Sequence, residues 1–274
     1  MTVSPLRKRL ARTPIGLLIV LAFFLLGLIG PWIAPYDPMR IDLLHEYEPP
    51  TRAHLLGTGD NGIDVLSALL HGARLAAIVG VTVVSVSVLI GTALGTLAGY
   101  AGRMTDHVIT GVADLVQAFP SIVLNIAVLA LVARPGLWHL IVALAVNGWV
   151  LYARLSRAET LSLREREFVQ AARALGVPTP RILARHIVPN LAGPLVIQAT
   201  TGLGVVVLAE STLSFLGLGP GKAVSWGALL DQGTGVLLRF PHVALFSGGT
   251  IALTVLGFNL AGDWLRDRLD PRFR

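Results

Sequence analysis

Cysteine is absent from the 274 residues, which excludes a disulfide framework, a thiolate metal site and a cysteine nucleophile. Charge is scarce too: Asp, Glu, Lys and Arg make up 14% of the chain against 54% hydrophobic residues, and the mean hydropathy is +0.71. A soluble domain of this length needs more polar surface than that, so the composition describes a polytopic membrane protein. No Gly-x4-Gly-Lys-Ser/Thr phosphate loop occurs, and the nearest imitation, Gly219-Pro-Gly-Lys222, lacks the spacing and the hydroxyl. His-Glu-x-x-His, Gly-x-Ser-x-Gly and closely spaced intramembrane aspartates are also missing, which leaves an intramembrane enzyme without machinery. The net charge of +6 invites a nucleic-acid reading, but the basic residues sit beside apolar runs and not in a separate patch. Membrane topology explains them better, and no nucleic-acid partner is expected.

What is present is a series of apolar runs, predicting an all-α fold of six transmembrane helices. A basic tail, residues 1–14 with Arg7, Lys8, Arg9 and Arg12, precedes an uncharged run over 15–34. At about 1.5 Å per residue that run spans a hydrocarbon core of roughly 30 Å. A cleaved signal peptide shares the basic start, but Pro31 and Pro35 and the lack of an Ala-x-Ala site favour a retained anchor. Residues 35–73 are polar and net acidic, and are expected outside. Asp60, Asn61, Gly62 and Asp64 within them read as a turn and an N-cap; a calcium loop would need further ligands and a terminal Glu.

The remaining five spans form a core over 74–262: Leu75 to Tyr100, a third to about Val132 bearing Asp114, Gln117 and Pro120, Leu137 to Tyr152, Leu191 to Leu218, and Val243 to Gly262. Gly91, Gly95 and Gly99, four apart, predict close approach of a neighbouring helix. Gly219 to His242 is expected as a loop, and 263–274 as a charged tail. Sixteen of the 22 Lys and Arg residues fall on the face that holds both tails and the insert 153–190, which is therefore expected to be cytoplasmic.

That insert is the one long polar stretch between spans. Phe168, Ala171, Ala172 and Leu175 recur at helical spacing, with Arg166, Gln170 and Arg173 off that face. Gly176 suits a left-handed C-cap, and Pro178 stops the helix. Thr179 and Pro180 then fit the N-cap and first turn of a second helix, whose apolar side is Ile182, Leu183, His186 and Ile187, with Arg181 and Arg185 elsewhere.

The spacing of Ala171-Ala172, Gly176 and Pro189 resembles the coupling loop of ABC-importer permeases, in the form found in the dipeptide, oligopeptide and nickel branch. Gln170, His186 and Val188 depart from the usual Glu, Ile and Leu. The runs Gly57-Thr-Gly-Asp-Asn-Gly-Ile-Asp-Val-Leu-Ser67, Glu210-Ser-Thr-Leu-Ser-Phe-Leu-Gly217, Ser225-Trp-Gly227 and Asn259-Leu-Ala-Gly-Asp-Trp-Leu-Arg-Asp-Arg-Leu-Asp-Pro271 are similar to further elements of that family. Membership would imply a type I importer permease fold, with ATP and Mg bound on separate ATPases and no cofactor or metal in this chain. Its partners would be a homologous second permease, two cytoplasmic ATPases, an outer solute-binding protein and membrane lipid, in a bacterial inner membrane.

On that reading the insert docks in an ATPase groove: Ala171, Ala172 and Gly176 permit close approach, and Arg173, Arg181 and Arg185 meet acidic rims. An amphipathic loop resting on lipid headgroups is the alternative. Asp114 and Glu210 are costly inside spans and need partners or water; with Gln117, Ser211 and Ser214 they are candidate pathway residues, or plain interhelical hydrogen bonds. A proton-coupled secondary transporter using Asp114 or Glu210 is the rival function, but no inverted repeat with broken helices is evident and the insert goes unexplained. His71, His139 and His242 are scattered near interfaces and read as structural.

Overall fold

The computed structural model describes residues 15–221 and 223–269, and every regular element among them is helical. The basic residues of the N-terminal tail, Lys222, Arg272 and Arg274 lie outside the described residues. The helices are α1 (Ile15–Ile33), α2 (Val65–Ala101), α3 (Arg103–Gln117), α4 (Ser121–Ala130), α5 (Leu137–Leu163), α6 (Glu167–Ala174), α7 (Thr179–Ile182), α8 (Ala192–Phe215), α9 (Trp226–Gly235) and α10 (Pro241–Leu269). Five stretches, containing α1, α2, α5, α8 and α10, are long and apolar enough to cross a membrane.

The expected third span is broken: α3 and α4 meet at 83° and make a sixth crossing only as a pair. Pro120 sits at the break in extended backbone, with ψ of 129°. It has no N–H to continue a helical ladder, and its ring disfavours helix in the residue before it.

Two helices continue past the charged residues expected to bound them. α2 begins at Val65, ten residues before Leu75, where Asp64 caps it by accepting from the Ser67 amide at 2.8 Å, as the turn and cap reading requires. Arg74 inside α2 lies over the Trp32 ring of α1, 5.7 Å from its centroid. α5 continues from Tyr152 to Leu163, because Arg154 and Arg157 pair with Asp114 and Asp106 of α3 and so do not end the helix. The expected loop after Gly219 contains α9, capped by Ser225.

The glycine ladder sets the central packing. A Cβ at Gly91 would come within 2.5 Å of the Trp149 carbonyl oxygen, and one at Gly99 within 2.8 Å of that of Arg157. Rising numbers meet rising numbers, so α2 and α5 run parallel with backbones in contact. Leu75, Val79 and Val83 of α2 share a buried cluster with Leu140 and Leu144 of α5 and Leu213 of α8. Elsewhere Phe23 of α1 meets Trp226 of α9 and Phe258 of α10 edge to face, with centroids 6.0 and 5.3 Å away. The Trp226 indole N–H donates to the Leu69 carbonyl at 2.8 Å, locking α9 onto α2.

Gly16 of α1 packs against Leu260 and Ala261 of α10, and Gly30 against Leu70 of α2. The start of α1 and the end of α10 therefore share one end of the bundle, and the start of α2 lies at the other.

Candidate functional site

At the end of α5 the chain turns out of the bundle and back in two short helices. Val169 and Ala172 of α6 are buried, as are Ile182 of α7 and Ile187 after it, and they share a cluster with Val84 of α2 and Tyr152 of α5. The inward face is thus Val169 and Ala172, which corrects the expected grouping of Ala172 with Phe168, Ala171 and Leu175. Those three point outward, with Phe168 45% and Leu175 84% exposed. A partner can reach Ala171 but not Ala172.

Gly176 has φ of +76°, and a Cβ there would meet nothing within 4 Å. Its amide donates to the Arg173 carbonyl at 3.0 Å, and that of Val177 to the Ala172 carbonyl at 3.1 Å, closing α6 as the left-handed cap requires. Pro178, and not Thr179, takes the N-cap position of α7, without a side-chain cap. α7 widens into a π turn over Leu183–Ile187 and then tightens over Val188–Leu191. In an unbroken α-helix the Pro189 ring would strike the Arg185 carbonyl, and the widening avoids that collision.

The polar residues of the insert divide in two. Arg173 lies over the Tyr100 ring of α2 at 5.2 Å, Gln170 donates to the Glu165 carbonyl at 3.2 Å, and His186 sits 6.3 Å from the Phe168 ring. Arg164 donates to the Gly99 carbonyl at 2.9 Å, tying the root of the insert to the end of α2. Arg181 and Arg185 are exposed and make no ion pair among the described residues.

The candidate pathway residues fall in three separate places, with Glu210, Ser211 and Ser214 together and Asp114 and Gln117 each apart from them. Asp114 is 61% exposed at its side chain and accepts from Arg154 at 2.7 Å. Glu210 is buried, accepting from Ser214 Oγ at 2.8 Å and Ser211 Oγ at 3.4 Å. Only Gln117 reaches the large cavity, about 530 Å³, that opens at the α3–α4 break between α2, α4, α5 and α8. Its polar lining adds Ser87, Ser121, Asn125, Asn147, Tyr152 and Gln198, and no charged side chain lines it among the described residues. Sequence reasoning missed these residues because it searched the spans for charge; the available signal was the uncharged amides at 125, 147 and 198 inside apolar runs.

The three interfacial histidines each have a hydrogen-bond partner, local for His71 and His139 and distant in sequence for His242. His71 lies 2.9 Å from the Ser67 carbonyl, His139 accepts from the Gly136 amide at 3.1 Å, and His242 donates to the Thr58 carbonyl at 2.9 Å.

Residues 91–274 match the family described as binding-protein-dependent transport system inner membrane component. The chain belongs to that family. Residues 7–50 match a second description, the N-terminal transmembrane domain of oligopeptide transport permease C. Among relatives of this permease, the dipeptide transport permease DppC of Alkalihalophilus pseudofirmus is 38% identical over 95% of the chain and 86% of its own length. The oligopeptide transport permease OppC of Bacillus subtilis is 36% identical over 95% and 85%. The glutathione transport permease GsiD of Pectobacterium atrosepticum is 38% identical over 94% and 84%. In fold the permease is similar to a chain of the MetNI methionine ABC transporter, solved in inward-facing conformations, with a TM-score of 0.60 and 19% identity over 74% of this chain and 97% of that one. It is a multi-pass inner-membrane protein of the type I importer permease fold, and not itself an enzyme.

Proposed function

We propose that this chain is one permease subunit of an ATP-driven importer that moves di- or oligopeptides, or a related small solute, into the cytoplasm. The dipeptide, oligopeptide and glutathione relatives support the solute class. The chain pairs with a homologous permease, receives solute from an outer binding protein, and is driven by two cytoplasmic ATPases that carry the ATP and Mg. Both termini and the insert face the cytoplasm.

One observation carries the mechanical part of this reading. The insert is rooted in the bundle by Val169, Ala172, Ile182 and Ile187, yet presents Phe168, Ala171 and Leu175 beside an open Gly176. An apolar, small-residue face on a rigid stub suits a groove in a partner, and exposed Arg181 and Arg185 suit its acidic rim. Arg173, stacked on Tyr100, instead links the insert to α2, so a displacement of α6 is passed to the spans. Closure of the ATPases then draws the inserts of the two permeases together and opens the bundle outward.

Ala171→Trp tests the docking. The substitution puts a large side chain on the exposed face of α6, in ordinary helical backbone. The variant should insert normally but fail to co-purify with its ATPase; undiminished recovery of the complex would refute docking at this face.

A further inference from the structure

Two polar atoms bordering the α3–α4 cavity have no hydrogen-bond partner among the described residues. Asn125 of α4 is 3% exposed and its Oδ1 is unpaired, and Ser87 of α2 is 1% exposed with an unpaired hydroxyl. Leaving such groups unsatisfied is costly, so a fold that keeps two beside one cavity needs a reason. Gly148 of α5 supplies part of it, because a Cβ there would come within 2.5 Å of the Ser87 hydroxyl and crowd it. Around them stand Gln117, Asn147, Tyr152 and Gln198, from the other walls of the same cavity. Each amide offers an acceptor and two donors, which is the complement a peptide group presents.

Among the described residues charge is kept out of the lining, since Asp114 is held by Arg154 in a separate cleft and Glu210 by Ser211 and Ser214. A wall that recognised a solute by its charge would bring such groups to the cavity. This one offers neutral hydrogen bonds, which hold a peptide backbone of any sequence without binding it too tightly to leave.

We propose that Asn125 and Ser87, with the amides of Gln117, Asn147 and Gln198, form a solute-contact site for peptide backbone groups at the α3–α4 break. This rests on the peptide-import reading above and adds where, and by what chemistry, the permease holds its cargo.

The test uses the assembled complex, with ATPases, second permease and binding protein, in proteoliposomes with ATP inside and labelled trialanine outside. Asn125→Leu keeps the branched outline and removes the amide. Uptake should fall about tenfold, the equivalent of one lost hydrogen bond to cargo, while binding-protein-stimulated ATP hydrolysis persists. Asn147→Leu, at a partly exposed position, should do the same and guards against a folding defect at buried Asn125. Because the chain has no cysteine, Asn147→Cys gives a further readout: its reaction with a small methanethiosulfonate should be slowed by trialanine. Undiminished uptake by both leucine variants, beside active wild type, would overturn the site alone. A wild-type complex that hydrolyses ATP but takes up neither labelled trialanine nor labelled dialanine would overturn the peptide reading, and the site's assignment with it.

Discussion

At the scale of single residues, glycine decides how closely the spans approach. Gly91, Gly95 and Gly99 lie where α2 meets the backbone of α5, and a Cβ at Gly95 would strike the Ala153 carbonyl and come within 2.8 Å of Ser156 Cβ. Backbone cannot move aside as a side-chain tip can, so Gly95→Val should destabilise the bundle by about 1–3 kcal/mol or more. Gly111→Ala in α3, where a Cβ meets nothing within 4 Å among the described residues, should leave stability unchanged or raise it by up to about 1 kcal/mol. Thermal aggregation of the detergent-solubilised variants separates the two, and equal midpoints would refute a packing role for the ladder. This ladder was legible in the sequence because a four-residue repeat on a helix has one geometric meaning. Asn125 and Ser87 were not, because a neutral polar residue in an apolar run carries no label until the fold shows whether it is satisfied.

At the scale of elements, the joint between α3 and α5 is made of charge. Asp106 accepts from Arg157 Nη2 at 2.6 Å, with side chains 22% and 35% exposed, and Asp114 accepts from Arg154 at 2.7 Å with both side chains at least half exposed. The fork of Arg157 holds both oxygens of Asp106. Asp106→Asn should therefore cost about 1–2 kcal/mol, between the values for surface and buried pairs, and Asp114→Asn about 0–1 kcal/mol. The exchange Asp106→Arg with Arg157→Asp should recover part of the loss. A swap no more stable than the worse single variant would show that the pair is not what joins these helices. These bridges also explain where sequence reading failed: Arg154 and Arg157 look like the end of a span until their partners on another helix are known. Pro120 failed for a related reason, since a proline inside an apolar run either kinks a helix or ends it, and the neighbours decide. The insert was the most legible element, because a Gly cap, a stopping Pro and a second helix start are all local signals; its inward face was misassigned by one residue because Val169 and Phe168 are equally apolar.

At the scale of the whole molecule, the parallel course of α2 and α5 fixes the topology. Both reach the same end, where Arg164 bonds the Gly99 carbonyl, so the chain between them must return once to the opposite end. The only elements available are α3 and α4, which makes the bent pair a true crossing despite its 83° break. Thr201 of α8 packs against Gly262 near the end of α10, and Gly16 of α1 against Ala261, so the insert shares its end of the bundle with the start of α1 and the end of α10. Sidedness then reduces to one measurement, which the lack of native thiols makes clean. Ala174→Cys places a thiol on the exposed side of α6, and Leu44→Cys places one at a position 90% exposed in the segment before α2. In intact spheroplasts a membrane-impermeant maleimide should label Leu44→Cys at once and Ala174→Cys only after permeabilisation. The reverse pattern would leave the insert on the side without ATP, where no ATPase could move it, and the import mechanism would fail whatever the solute.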